Sequence, residues 1–364
     1  MNAADPPPMF PSLDSIESVL WPGLALAVFV VTAVLVDVMV LLATRWHILD
    51  LPNRRSAHAL PTARAGGLPL AMVTALASLA VCIRWPGMTT KVLAGCVVPS
   101  MVIAVVGFMD DIRPLGALFR LAIQIAVAAM VVAFLGPLRV LELPGLASLE
   151  LGPAAWPLSL LWVVGMMNAF NFMDGSDGMA ATGAVVVSAF LVCLGFAGNS
   201  PILVLLASFV GAASAGFLVF NWPPARIFMG DVGSAFLGTF LAALALLPGE
   251  PTKGRIFVPL AMAAWPYIYD PLLSVLRRLV GGHNPLVPHR EFLFHRLVRS
   301  GWSHLSVALL YATLSLLGAL AGRLLLVVGL PPVSCVLLPA TIVLMAIGLT
   351  GLAESQFRRW SSRS

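Results

Sequence analysis

Residues 20–44 read LWPGLALAVFVVTAVLVDVMVLLAT, 25 positions with a single charged side chain, Asp37. A bilayer's hydrocarbon core is about 30 Å thick and takes roughly 20 residues of α-helix to cross. The stretch is therefore long enough to span. Its apolar residues run continuously instead of alternating with period two, which excludes a strand of a membrane β-barrel. Ten further runs of the same kind follow, near 66–83, 92–109, 118–136, 154–170, 178–197, 201–220, 233–248, 256–276, 304–328 and 332–353. The expected fold is all-α: a polytopic transmembrane bundle of about eleven spans.

Composition agrees. The chain is 60% hydrophobic and 10% charged, with mean hydropathy +0.98, whereas soluble domains carry about a quarter charged residues. A water-soluble globule is excluded. Residues 1–19 are Pro-rich and acidic and lack the basic stretch that precedes a cleaved signal, so the first span is expected to stay as an anchor. No internal repeat is evident. The simplest division is an N-terminal segment 1–19, a transmembrane catalytic domain 20–353 and a basic tail 354–364. Cys82, Cys96, Cys193 and Cys335 lie in or beside apolar runs without metal-like spacing and read as small buried hydrophobes.

Lys and Arg set the expected orientation, because cytoplasmic loops hold most of them. With the N-terminus outside, Arg45, Arg54, Arg55, Arg64, Arg113, Arg120, Arg226, Arg277, Arg278, Arg290, Arg296, Arg299, Arg358, Arg359 and Arg363 are inside, 15 of the 21. The outer loops keep Arg84, Lys91, Arg139, Lys253 and Arg255. The net charge of +5 is thus mostly topological, and nothing in it points to nucleic acid. Acids have little topological preference, yet Asp50, Asp110, Asp111, Asp174, Asp177, Asp231 and Asp270 all fall at the same inner level. Ionisable groups at membrane depth are costly and usually functional. Their short loops are expected to converge on one polar site.

Five loops carry the chemistry. The first, DLPNRRSAHALPTARAGG, offers Arg54, Arg55, His58 and Arg64 as donors for phosphate oxygens. The second, GFMDDIRP, places Asp110 beside Asp111 and is followed by Arg120 and Gln124, one helical turn apart. Adjacent carboxylates repel, and such a pair suits metal binding or proton abstraction. In the third, Asn168, Asn171, Asp174 and Asp177 recur every three residues, with Gly175 and Gly178 admitting tight backbone. Oxygen donors of this type favour Mg²⁺ or Mn²⁺ over zinc. The fourth, NWPPARIFMGDVGS, runs into an apolar helix; backbone N–H groups around Asp231 and Ser234 suit an anion, and Phe228 can stack on a base. Its plainer reading is a helix cap with Ser234 as N-cap. The fifth and longest carries His289, Arg290, His295 and Arg296 in PHREFLFHRLVRSGWSH, a set better suited to a diphosphate than to one metal. Asp37 and Asp270 read as bundle-facing hydrogen-bonding groups.

Taken in order, DLPNRRSAHALPTARAGG, GFMDD, NAFNFMDGSDG and FMGDVGS resemble signatures of the polyprenyl-phosphate N-acetylhexosamine-1-phosphate transferases, glycosyltransferase family 4, over roughly residues 45–305. That resemblance implies transfer of HexNAc-1-phosphate from a UDP-HexNAc to undecaprenyl (polyprenyl) phosphate at the inner membrane, with Mg²⁺ or Mn²⁺ as cofactor. By the same resemblance, Asn171 and Asp231 bind the metal. Asp110, supported by Asp111, activates the lipid phosphate. Asn168 serves the substrate, Asp174 and Asp177 hold the nucleotide or metal, Phe228 lies near the uracil, and His58, Arg64 and Arg120 match family basic positions that touch phosphates. His289, Arg290, His295 and Arg296 are added as substrate-binding candidates on their own chemistry. The fifth loop lacks the dense His cluster of the GlcNAc-1-phosphate and muramoyl-pentapeptide enzymes. This points to an O-antigen-initiating or other surface-polysaccharide branch, with the muramoyl-pentapeptide reaction as alternative. A homodimer is implied only by analogy. A transporter would place charges at the midplane and show repeats, and neither is evident; a catalytically silent scaffold is opposed by the intact acidic motifs.

Overall fold

A computed structural model describes residues 20–45, 49–50, 62–84, 86–142, 148–247, 249, 252–284, 287, 291–327, 331 and 333–362. His58, His289, Arg290 and the DLPNRRSAHALP stretch beyond Asp50 lie outside the described residues. The described residues are mainly helical: α1 (Leu20–Arg45), α2 (Gly67–Arg84), α3 (Val98–Ile112), α4 (Ala117–Leu135), α5 (Ala155–Met173), α6 (Met179–Ala197), α7 (Pro201–Asn221), α8 (Gly230–Leu246), α9 (Thr252–Val280), α10 (Leu293–Arg299), α11 (His304–Leu325) and α12 (Ser334–Ser361). A π-helical stretch, Lys91–Val97, leads into α3. Among the described residues the sheet structure is two antiparallel two-residue pairs, β1 (Leu49–Asp50) with β2 (Thr62–Ala63) and β3 (Val140–Leu141) with β4 (Leu149–Glu150).

Ten of these helices are long and apolar enough to cross a membrane, and α8 is a shorter apolar helix. Together they match the eleven expected runs. The protein is a multi-pass membrane protein. Leu26, Leu41, Leu118 and Leu344 are each more than 60% exposed. In water such outward faces on α1, α4 and α12 would be unfavourable; against lipid tails they are neutral.

At the centre stands α8. Every residue from Val232 to Leu246 is buried, as expected of a helix apolar on all sides. It can be enclosed because glycines let neighbouring backbones approach. A Cβ at Gly107 of α3 would collide with the backbone of Asp231 and Val232, one at Gly67 of α2 with Gly233, and one at Gly238 with Met166 and Met167 of α5. Small residues at helix crossings are the usual means of close packing in membranes, where apolar burial gives no net drive.

Polar groups inside the bundle are used to close helix ends. Lys253 is buried, and its Nζ donates to the carbonyls of Leu135 (2.8 Å) and Gly136 (3.2 Å), capping the C-terminus of α4. A cation there satisfies carbonyls that the helix end leaves without an intrahelical partner. Lys253→Met should therefore lower stability by about 2 kcal/mol, the scale of a charged hydrogen bond lost in a buried place. An unchanged melting midpoint in detergent would refute the capping role. Asp270 does the reverse job: buried, it accepts from the N–H groups of Leu293 (2.6 Å) and Phe294 (3.1 Å) at the start of α10 and from the Tyr311 hydroxyl (2.7 Å). Asp37 faces Arg226 at 3.7 Å. Cys82, Cys96 and Cys335 are buried as expected, whereas Cys193 is exposed.

Candidate active site

Helix ends, more than loops, carry the polar residues. The helix α3 runs through Asp110 and Asp111 to Ile112, and α5 runs on past residue 170 to Met173, so that Asn168 and Asn171 sit on its last turns with Asp174 at the C-cap. Asp231 lies in the first turn of α8. Three helix termini and the first turn of α4 thus meet around a cleft of about 400 Å³. Its polar lining is Asp110, Arg120, Gln124, Asn168, Asn171, Asp174, Asp231 and His295. Ile103, Val106 and Leu121 form an apolar wall continuous with the membrane-embedded parts of α3 and α4, and Phe172 and Phe292 close the other side.

Within the cleft the charges are arranged around one open point. Arg120 donates from Nη1 to Asp110 Oδ2 at 2.7 Å and stands 3.5 Å from Asp231 Oδ2. The carboxyl groups of Asp110 and Asp231 are near enough to act on each other as like charges. Asn171 Nδ2 donates to Asp231 Oδ1 at 2.9 Å and to Ser234 Oγ at 3.0 Å. Asn168 Nδ2 donates to Gln124 Oε1 at 2.9 Å, which joins α5 to α4. Enclosure by protein holds the Asp174 carboxyl well above the usual carboxylate range; the charges of Asp231 and Asp111 push the same way, and a backbone N–H from Gly230 opposes them. One guanidinium among three carboxyls leaves the cleft short of positive charge.

That donor set fits a hard divalent cation. Among the described residues no three His, Cys, Asp or Glu side chains form a cage that could hold a metal unaided. Mg²⁺ commonly takes one or two carboxylates and completes its shell with water and substrate phosphates. Asp231 with Asn171, and Asp110 or Asp174 beside them, supplies oxygens of that kind.

Asp111 does something different from its neighbour. Its Oδ1 accepts from the Asp231 N–H at 3.2 Å and its Oδ2 from the Val232 N–H at 3.3 Å. It is the anion at the N-terminus of α8, placed there from another helix, and Arg64 is near enough for its charge to act on the same carboxylate. Gly230, at φ +75°, lets the chain turn under it; a side chain there would meet the Asp111 oxygens. The reading of Ser234 as N-cap is corrected accordingly. The serine is the fifth residue of α8, donates to Gly230 O (3.1 Å) and accepts from Asn171, while Asp111 already satisfies free N–H groups of the first turn.

The remaining expected residues are distributed around this centre. Asp177 Oδ2 accepts from the Ala225 N–H at 3.1 Å, and His304 Nδ1 lies 2.8 Å from Ser176 Oγ, so this turn is tied to the 222–229 segment and to α11. Asn221 closes the same corner by accepting from Gly178 N–H and donating to Ile227 O, both at 2.9 Å. Phe228 is half-buried and lies off the cleft lining. Its backbone pairs with Ala63 and Gly66, which joins the first loop to the fourth. His295 lines the cleft, stacked on Phe294 with ring centroids 4.0 Å apart. Arg296, its neighbour in sequence, turns away toward α12. Sequence reasoning did not single out Phe172 and Phe292, whose only signal was an aromatic residue next to a polar motif.

The fold and the cleft together define a membrane-embedded protein whose acidic, cation-ready site opens beside an apolar wall. Residues 93–249 match the family model described as glycosyl transferase family 4, a segment that holds Asp110, Asn168, Asn171, Asp174 and Asp231. A protein of Bacillus subtilis named a probable undecaprenyl-phosphate N-acetylglucosaminyl 1-phosphate transferase is 33% identical over 267 residues, covering 72% of this chain and 73% of that one. A decaprenyl-phosphate N-acetylglucosaminephosphotransferase of Mycolicibacterium smegmatis is 30% identical over 74% of this chain and 73% of its own length. A phospho-N-acetylmuramoyl-pentapeptide-transferase of a Synechococcus strain is 35% identical over 57% of this chain and 64% of its own. The chain belongs to glycosyl transferase family 4 and is a transmembrane transferase.

Proposed function

We propose that this chain transfers a sugar 1-phosphate to a polyprenyl phosphate and, more specifically, moves HexNAc-1-phosphate from a UDP-HexNAc to undecaprenyl phosphate. An oxygen of the lipid phosphate bonds to the sugar-bearing phosphorus, the bond from that phosphorus to the bridging oxygen breaks, and UMP leaves. The product is a lipid diphosphate sugar, the first intermediate of O-antigen or another surface polysaccharide. The observation that carries the reading is the meeting of three carboxyls and Arg120 with an apolar wall in one cleft. Phosphoryl transfer asks for charge neutralisation and positioning more than for covalent chemistry.

In this reading Asp231 and Asn171, with Asp174 beside them, would hold Mg²⁺ or Mn²⁺, which would supply positive charge against the diphosphate. Asp110, oriented by Arg120, takes the proton from the lipid phosphate and keeps its attacking oxygen anionic. Asp111 keeps the first turn of α8 in place, so that Asp231 points into the cleft. His295, Phe172 and Phe292 bound the donor side, and Ile103, Val106 and Leu121 receive the first isoprene units. The distribution of Lys and Arg supports an N-terminus outside and a C-terminus in the cytoplasm of the inner membrane, with the cleft open to nucleotide sugars.

The test is UMP release by purified protein given undecaprenyl phosphate, Mg²⁺ and a panel of UDP-HexNAc donors. Release with one donor and only in the presence of lipid is the expected result. Release with UDP-muramoyl-pentapeptide alone would favour the second reading, which the Synechococcus relative supports. A folded protein inert toward every donor would sink both.

A further inference from the structure

The cleft's outer wall is built on a helix that cannot stand alone. α10 has seven residues, Leu293–Arg299, and helices shorter than about 12 residues are marginal in water. It nonetheless has to hold His295, with Phe292 just ahead of it, against the cleft. Leu293, Phe294 and Leu297 are buried beneath it, and Asp270 holds its first N–H groups.

The opposite side of α10 is held by one carboxylate from a distant part of the chain. Glu354 of α12 accepts from Arg296 Nη1 with both oxygens, at 2.9 and 2.8 Å, and from Arg277 Nη1 of α9 at 2.7 Å. Counted from Ser334, Glu354 is about 30 Å along α12, so α12 crosses the bilayer and delivers this group at the level of the cleft. The ion pairs are only partly exposed, with Glu354 19%, Arg296 21% and Arg277 32% accessible. Without the carboxylate, two guanidiniums would face each other across the gap between α9 and α10. Arg299 adds to the seat from the same helix, packing over Phe357 and Trp360 with centroid distances of 5.1 and 5.2 Å.

We infer that Glu354 is a positioning residue: through Arg296 and Arg277 it holds α10 so that His295 and Phe292 close the cleft over the bound donor. This rests on the cleft being the transferase site. The group touches no substrate. Its loss should weaken donor binding in the cleft more than the chemistry at Asp110 and Asp231.

The test compares Glu354→Gln, Glu354→Asp and the unaltered protein in two assays. Amide hydrogen exchange over residues 291–299 reports the seating of α10 independently of activity, and UMP release gives KM and kcat. Glu354→Gln should speed exchange in this segment and raise the donor KM about tenfold, the loss of one charge-assisted hydrogen bond, with kcat within about twofold. Glu354→Asp, which keeps the charge on a shorter arm, should fall between. Faster exchange with an unchanged KM would make Glu354 merely structural and overturn the inference, as would unchanged exchange. Were the unaltered protein to release no UMP, the transferase reading would fail instead, and exchange alone would decide whether the carboxylate seats α10.

Discussion

Asp231→Asn and Asp110→Asn should each lower kcat by about 10³-fold while leaving the protein folded and membrane-inserted. Both replacements keep the size and much of the hydrogen bonding: an Asn at 110 still accepts from the Leu115 N–H, and one at 231 still accepts from Asn171. What each removes is charge. At 110 the loss is of a group able to take a proton, an effect worth about 10² to 10⁴ in rate. At 231 it is of the carboxylate proposed to draw a cation to the diphosphate. Asp111→Asn is the informative neighbour. Its carboxylate is spent on two backbone N–H groups of α8, so its loss should cost about 1 kcal/mol of stability, as helix caps do, and lower activity through displacement of Asp231. Rates of UMP release set beside melting midpoints separate the two patterns. Near-normal turnover in the Asp110 or Asp231 variant would remove that residue from the site.

The adjacent Asp pair also marks where the sequence stops being legible. Two neighbours on a helix point about 100° apart, so GFMDD announces two carboxylates but not which faces the cleft and which faces α8. That choice follows from the close crossing at Gly107, which puts the α8 terminus on the Asp111 side. The spans themselves were readable because hydrocarbon thickness dictates their length, and all eleven runs became helices. Their ends were less so. Asn171 reads as the start of a loop because it is polar, yet α5 continues through it, since Asp231 and Ser234 supply partners on the cleft side. Local pattern cannot register partners 60 residues away. The same blindness hides α10 and its ties to Glu354 inside what reads as a long basic loop. It also hides the turning of Arg296 away from the cleft beside His295, which lines it.

Chelation should stop turnover, and added Mg²⁺ or Mn²⁺ should restore it. Asp110, Asp174 and Asp231 share a cleft with Arg120, and a diphosphate donor brings further negative charge. Without a divalent ion, donor and cleft repel. Stabilisation of developing charge by such an ion is worth several kcal/mol, and each 1.36 kcal/mol is tenfold in rate, so a loss of at least about 10³-fold is expected. The same crowding predicts a readout that needs no turnover. An ion that binds the folded protein stabilises it by about 2.7 kcal/mol at a hundredfold excess over its dissociation constant. Mg²⁺ should raise the melting midpoint of the unaltered protein and do so much less for Asp231→Asn. Activity that survives EDTA would end the metal assignment. A thermal shift that persists in Asp231→Asn would move the cation to other carboxylates while leaving its role in the reaction intact.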